Sequence, residues 1–374
     1  MSKNPPETLF NHGGNIFRYA RHALDEGSKI IDFSANINPV GLSGKAVKIL
    51  KNPEKIKFLI ENYPDVYPER FADALSDFHK IDKKFIFAGA GATELIFNAV
   101  NILKPGTVFI AEPSFSEYER ASAIANSNII HIDTFISENF EFKEKSLLRF
   151  FKNIKKISKN DLFFIASPSN PAGTILHKDI LIEILKALKQ RNAFLILDES
   201  FMDFCEEFSA KFIIPDFDNL IIIRSMTKFF AMPGQRLGYI FAVPKIIKKF
   251  AETVMPWKIT SLGAAIAVAS LKDGNYVLKT LNLLNNLKKD LLTEFEKLKL
   301  FKIMPGRANF FLIKIKTNLF NSNDLKNYLL KSRILIRSCS DYRGLSDKYF
   351  RIAVRKKAEN DLLIEKLKKF ISAV

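Results

Sequence analysis

Residues 220–243 read LIIIRSMTKFFAMPGQRLGYIFAV, two apolar runs (220–226 and 236–243) separated by a loop that carries Lys228. Runs this short and continuous, rich in β-branched side chains, predict strands buried on both faces. A lysine placed just past such a strand loses hydration, which weakens its hold on its third proton and makes the amine a nucleophile. Ser225, Thr227 and Arg236 surround it with two hydroxyls and a guanidinium, a set suited to one phosphate group.

The same texture extends upstream through FIFAG (85–89), TVFIAEP (107–113), NIIHIDTF (128–135), DLFFIASPS (161–169) and AFLILDES (193–200), with helical stretches between the runs. Alternation of this kind predicts an α/β fold with a mostly parallel seven-stranded sheet, in one large domain over 46–260. Beyond Trp257 a long helical region leads to NFFLIKIK, ILIRSCS and YFRIAV, which predicts a smaller α+β domain over 261–374. The turn-rich segment 1–45 is too short to fold alone and is expected to pack on the active site or the small domain.

In open α/β sheets, functional residues gather at the carboxyl ends of the strands. There the sequence places Gly91-Ala92-Thr93 at the start of a helix, Asn170 in NPAG, and Asp198 in DES. Small residues at a helix N-terminus let backbone N–H groups approach a phosphate.

Composition narrows the function classes. An excess of 57 Lys+Arg over 40 Asp+Glu gives +17, but the lysines are scattered over helical pieces with no basic cluster interleaved with aromatics. They are read as solvated helix faces, and no nucleic-acid partner is expected. No apolar run approaches the ~18–20 residues that span a bilayer, so no membrane partner is expected either. Two cysteines are too few for a disulfide framework, and the N-terminus lacks an apolar signal region, so a cytoplasmic location is expected. No metal site is expected.

The order NPxG, Asp-Glu, then SxxK with Arg-x-Gly eight residues after the lysine resembles the fold-type I pyridoxal-phosphate enzymes of aminotransferase class I/II. That resemblance implies pyridoxal 5′-phosphate held as a Schiff base on Lys228, with Asp198 on the pyridine nitrogen, Asn170 near the phenolic oxygen and Phe115 stacked on the ring. It implies phosphate contacts from Gly91, Ala92, Thr93, Ser225, Thr227 and Arg236. It also implies a homodimer in which Tyr63, in NYPD, reaches the neighbouring subunit's cofactor. One departure stands out: many relatives carry a tyrosine where this chain has Phe201, so a hydrogen bond to the phenolic oxygen is missing.

Within that superfamily the chain resembles histidinol-phosphate aminotransferases and, more closely in several segments, the threonine-phosphate decarboxylases of cobalamin biosynthesis. The segments are His12-Gly13-Gly14-Asn15, DFSANINPVG (32–41), FSEYERA (115–121), MPWKITSLGA (255–264), PGRANFFL (305–312) and ILIRSCSDYRGL (334–345) before YFRIAVR (349–355). The resemblance implies decarboxylation of a small O-phospho-L-amino acid, with transamination of histidinol phosphate as the alternative. Arg351 matches the family's carboxylate-binding arginine. Arg337, His12, Gly13, Asn36 and Asn170 complete the expected substrate contacts.

Overall fold

The computed structural model describes residues 12–17, 19, 30–133, 140, 142, 144–154 and 156–373. Parts of two expectations lie outside the described residues: positions 1–11, 18 and 20–29 of the N-terminal segment, and 134–135 of the run 128–135. A short strand β1 (Ile31–Asp32) precedes the seven expected strands. These are β2 (Ile86–Gly89), β3 (Thr107–Glu112), β4 (Asn128–Asp133), β5 (Leu162–Ala166), β6 (Phe194–Asp198), β7 (Leu220–Ser225) and β8 (Gly238–Phe241).

All seven form one sheet in the order β2-β8-β7-β6-β5-β3-β4. The neighbours from β7 to β4 run parallel, whereas β8 is antiparallel to both β7 and β2. The loop between β7 and β8 has no helix long enough to carry the chain back for a parallel crossover, so β8 returns antiparallel. That loop holds Lys228.

Successive side chains of these strands point to opposite faces. Phe163, Leu195, Leu197 and Ile222 pack on one side with the helix Lys178–Lys189. Leu162, Phe164, Ile196, Ile221 and Ile223 pack on the other with the helix Ala92–Leu103. Both faces are therefore covered, as the unbroken apolar runs require.

A second core lies on a four-stranded sheet of order β12-β13-β10-β9, built from β9 (Phe301–Ile303), β10 (Phe310–Ile315), β12 (Arg337–Ser338) and β13 (Tyr349–Ala353). The helix Gly274–Glu296 bridges the two cores. Tyr276 packs with the large sheet, as do Ile266, Ala267 and Leu271 before it, while Leu284, Leu287, Leu291 and Phe295 pack with the small one. The exchange of cores thus falls inside this helix and later than the expected boundary at 260/261. The N-terminal segment joins the second core: β1 pairs in parallel with β11 (Ile334–Leu335), and Phe33 is buried there.

One polar cluster sits beneath the large sheet, with Glu206 at its solvent edge. Arg224 on β7 is fully buried and bonds Glu199 at 2.9 Å, Asp203 at 3.2 Å and Glu206 at 2.8 Å. Burial pushes Asp203 up to about 7, and burial pushes the adjacent His79 down to about 4. Removing one partner of a buried ion network leaves the others uncompensated. Arg224→Leu is therefore expected to lower unfolding free energy by about 3–5 kcal/mol, read from the urea midpoint.

Candidate active site

The carboxyl ends of β3, β5, β6 and β7 open into one cavity of about 320 Å³. Its wall includes Ala92, Thr93, Phe115, Asn170, Asp198, Ser225, Thr227, Lys228 and Arg236 from the large sheet, Arg337 and Arg351 from the small one, and His12, Gly13 and Asn36 from the N-terminal segment. Two expected residues are not in that wall. Gly91 stands behind it as the N-cap of the helix Ala92–Leu103, at φ +100°, where a Cβ would come within 3.2 Å of Arg236 Nη2. Tyr63 is 86% exposed on this chain, with its ring 5.5 Å from that of Trp257.

Lys228 sits in the cavity floor. Burial, with the positive charges of Arg351 and Arg236, lowers its amine to about 8, against the opposing pull of Asp198 and Asp32. The helix start at Ala92 has no side-chain cap, which leaves its backbone donors to a ligand. Gly238 lets β8 approach this turn: a Cβ there would lie 2.8 Å from Ala92 N and from Arg224 O. Asp198 is held on both oxygens, by Ser200 N at 2.9 Å and by the Tyr118 hydroxyl at 2.6 Å. Phe201 packs edge-on against Phe310 at 5.0 Å and offers no hydroxyl.

Opposite this floor, Arg337 and Arg351 are register partners across the antiparallel pair β12–β13, which puts both on one face. Arg351 donates Nη1 to Asn170 Oδ1 and Nη2 to Ser34 O at 2.8 Å. Asn170 Oδ1 also accepts from the Tyr342 hydroxyl at 3.4 Å. Arg337 donates to Ser338 O at 2.6 Å and Asp341 Oδ2 at 2.7 Å, with Tyr342 beneath its guanidinium. His12 Nε2 lies 2.9 Å from Glu117 Oε1; this hydrogen bond holds the Glu117 carboxyl below its usual range. Gly13 permits the approach of the N-terminal turn, since a Cβ would fall 2.2 Å from Ser34 O.

Sequence reasoning had not singled out Tyr118, Tyr342, Ser34 or Ser200, although all four line the cavity. The first two lie inside the segments FSEYERA and ILIRSCSDYRGL.

The donor set fits pyridoxal phosphate. An uncapped helix start with Ser225, Thr227 and Arg236 suits its phosphate, Asp198 its ring nitrogen, and Lys228 its aldehyde carbon. Asn36 Oδ1 and Arg351 Nε are buried without a protein partner, as polar groups reserved for a ligand are. Fold and site together define a fold-type I pyridoxal-phosphate enzyme. The chain belongs to the aminotransferase class I and II family, which it matches over residues 28–367.

It is 32% identical to the threonine-phosphate decarboxylase of Salmonella typhimurium over 98% of each chain. Among solved structures it resembles the histidinol-phosphate aminotransferase of Clostridium acetobutylicum, with a TM-score of 0.83 at 29% identity over 91% of this chain and 99% of that one. It also shares the fold of the histidinol-phosphate aminotransferase of Sinorhizobium meliloti in complex with pyridoxal-5′-phosphate, with a TM-score of 0.84 at 18% identity over 100% and 98%. Among the described residues, no cluster of His, Cys, Asp or Glu is placed to hold a metal, and no helix is long and apolar enough to cross a membrane.

The lowered amine predicts how the apoprotein takes up its cofactor. Uptake of pyridoxal phosphate, followed by absorbance, should speed up with pH around a midpoint of about 8. Arg351→Ala removes a positive charge that favours the neutral amine and should move that midpoint upward. Lys228→Ala should abolish turnover.

Proposed function

We propose that this protein decarboxylates an O-phospho-L-amino acid. O-phospho-L-threonine would give (R)-1-aminopropan-2-ol O-phosphate, and O-phospho-L-serine ethanolamine phosphate, as the nucleotide-loop linker of a cobamide. The observation that carries this reading is the Arg337–Arg351 pair facing Lys228 across one cavity. Arg337 already has Asp341 beside it, whereas no carboxylate among the described residues pairs with Arg351, and a substrate with two anionic groups, a carboxylate and a phosphate, would meet both guanidiniums.

Bound pyridoxal phosphate supplies an electron sink for the pair left at Cα when a bond to that carbon breaks. The bond that breaks is the one held perpendicular to the ring plane, so the anion anchors select the reaction. In our reading Arg351 and Arg337, with His12, Gly13, Asn36 and Asn170, fix the phosphate and turn the carboxylate out of plane. Lys228 Nζ then delivers a proton to Cα; delivery to the cofactor carbon instead would give abortive transamination.

A second reading, transamination of histidinol phosphate, is favoured by the TM-score of 0.83 to the Clostridium enzyme. Incubation with O-phosphothreonine, O-phosphoserine, and histidinol phosphate plus 2-oxoglutarate separates the two. Release of CO₂ from a phospho-amino acid without any 2-oxoacid is the expected result. Glutamate formation from histidinol phosphate with no CO₂ from the others would reverse the order. Arg337→Ala and Arg351→Ala should each raise KM by roughly tenfold or more, the worth of one charge-assisted contact.

We also propose a homodimer with shared sites, a reading supported by exposed Tyr63, Tyr67, Met255 and Trp257 on neighbouring segments. Tyr63 would then act on the cofactor phosphate of the other subunit. Mixing Tyr63→Ala with Lys228→Ala protein and allowing subunits to exchange should restore activity above either variant alone. Complementation fails if each chain uses its own Tyr63.

A further inference from the structure

Tyr118 lies in the first turn of the helix Glu117–Ile124, which follows β3. Its ring nevertheless crosses β5, face to face with Phe164 at 4.7 Å and an interplanar angle of 4°. This reach sets its hydroxyl 2.6 Å from Asp198 Oδ2 at the end of β6. The ring is 1% exposed. A phenylalanine would fill the same slot without bringing a buried hydroxyl that needs a partner, so packing alone does not account for a tyrosine here. Burial and the charge of Asp198 raise the phenol's pKa well above its usual value, so it remains a donor.

Asp198 Oδ1 is meanwhile tied to Ser200 N. With a fixed donor on each oxygen, the carboxylate plane is set before any ligand arrives. A ring nitrogen facing Asp198 therefore meets an acceptor whose orientation Tyr118 and Ser200 have already fixed. At the other side of the cavity Phe201 carries no hydroxyl.

We propose that Tyr118 is a positioning residue which, through Asp198, keeps the proton on the cofactor's ring nitrogen, so that this site tunes its electron sink from the nitrogen end. The inference rests on the cofactor class and is independent of which substrate is used.

The test uses full-length protein loaded with pyridoxal phosphate labelled with ¹⁵N in the ring. In Tyr118→Phe, the ring-nitrogen resonance should move toward that of neutral pyridine. The dissociation constant for the cofactor should rise by roughly tenfold, the equivalent of one hydrogen bond to a charged group. 3-Fluorotyrosine at position 118 keeps the shape and strengthens the donor, so it should move the resonance the opposite way. In Tyr118→Phe, kcat should fall for whichever amino substrate is turned over, with KM little changed. A resonance and a cofactor affinity that stay at wild-type values in both variants would overturn the proposal. Loss of CO₂ release with the resonance unshifted would also count against it. A shifted resonance in a protein that proves to transaminate would leave it standing.

Discussion

β5, β6 and β7 are apolar almost from end to end because helices cover both faces of the sheet, and the site depends on this constraint. Polar residues that serve a ligand find room only where the strands stop. Parallel neighbours stop at the same edge, so Asn170, Asp198 and the Ser225–Lys228 loop arrive within one cavity though they are far apart in sequence. The exception on these strands is Arg224, a polar residue within β7 that is fully buried, and it is surrounded by carboxylates.

Two buried charge clusters therefore lie close together with opposite designs. Three carboxylates bond Arg224 directly, and Lys211 bonds one of them, Glu206. Its cation is met by carboxylates from three residues, and only Asp203 Oδ2 is left without a partner among the described residues. In the cavity, Lys228, Arg236, Arg337 and Arg351 face Asp198, and among the described residues Arg351 has no carboxylate partner. Arg236 is exposed, but the charges of Lys228, Arg337 and Arg351 are held largely out of water, a surplus that is costly and is retained where an anion completes the set. Burial, and after it the charges of Arg351 and Arg236, lower the Lys228 amine, so two of the cations that await an anion also help prepare the nucleophile.

The seven strands of the large sheet were legible because each is a short apolar run, and Lys228 because it falls in a loop framed by Ser225, Thr227 and Arg236. The contacts across elements were not. Tyr118 reaches Asp198 over an intervening strand, and no periodicity encodes such a reach. Tyr342 lies in a turn whose path toward Asn170 follows from how β12 and β13 pair. The boundary at 260 was set by a change of texture, yet the helices after it still pack on the large sheet, because one long amphipathic helix serves both cores in succession. Gly91, whose expected phosphate contact follows from the resemblance, is the N-cap of the helix Ala92–Leu103 at φ +100°, a backbone conformation that no periodicity announces.

The floor of the cavity is common to the decarboxylase and the transaminase readings, since both need Lys228, Asp198 and a phosphate cradle. A choice between them lies in which bond at Cα stands perpendicular to the cofactor ring, and the anchors of the substrate's anions fix that. Apart from Asn170, the residues proposed for that role come from outside the large sheet. Arg337 and Arg351 are set by the β12–β13 register. Asn36 and His12 are set by the parallel pairing of β1 with β11 and by the seat of Gly13 on Ser34. Arg351 is tied to the same segment through Ser34 O, and Asn38 of that segment is tied to the floor, donating its backbone N–H to Lys228 O at 3.0 Å and its side-chain amide to Phe229 O at 2.7 Å. The N-terminal segment thus joins the small sheet to the loop that carries Lys228. The choice between the two readings therefore rests on the residues at the junction of the two cores, while Lys228 is common to both.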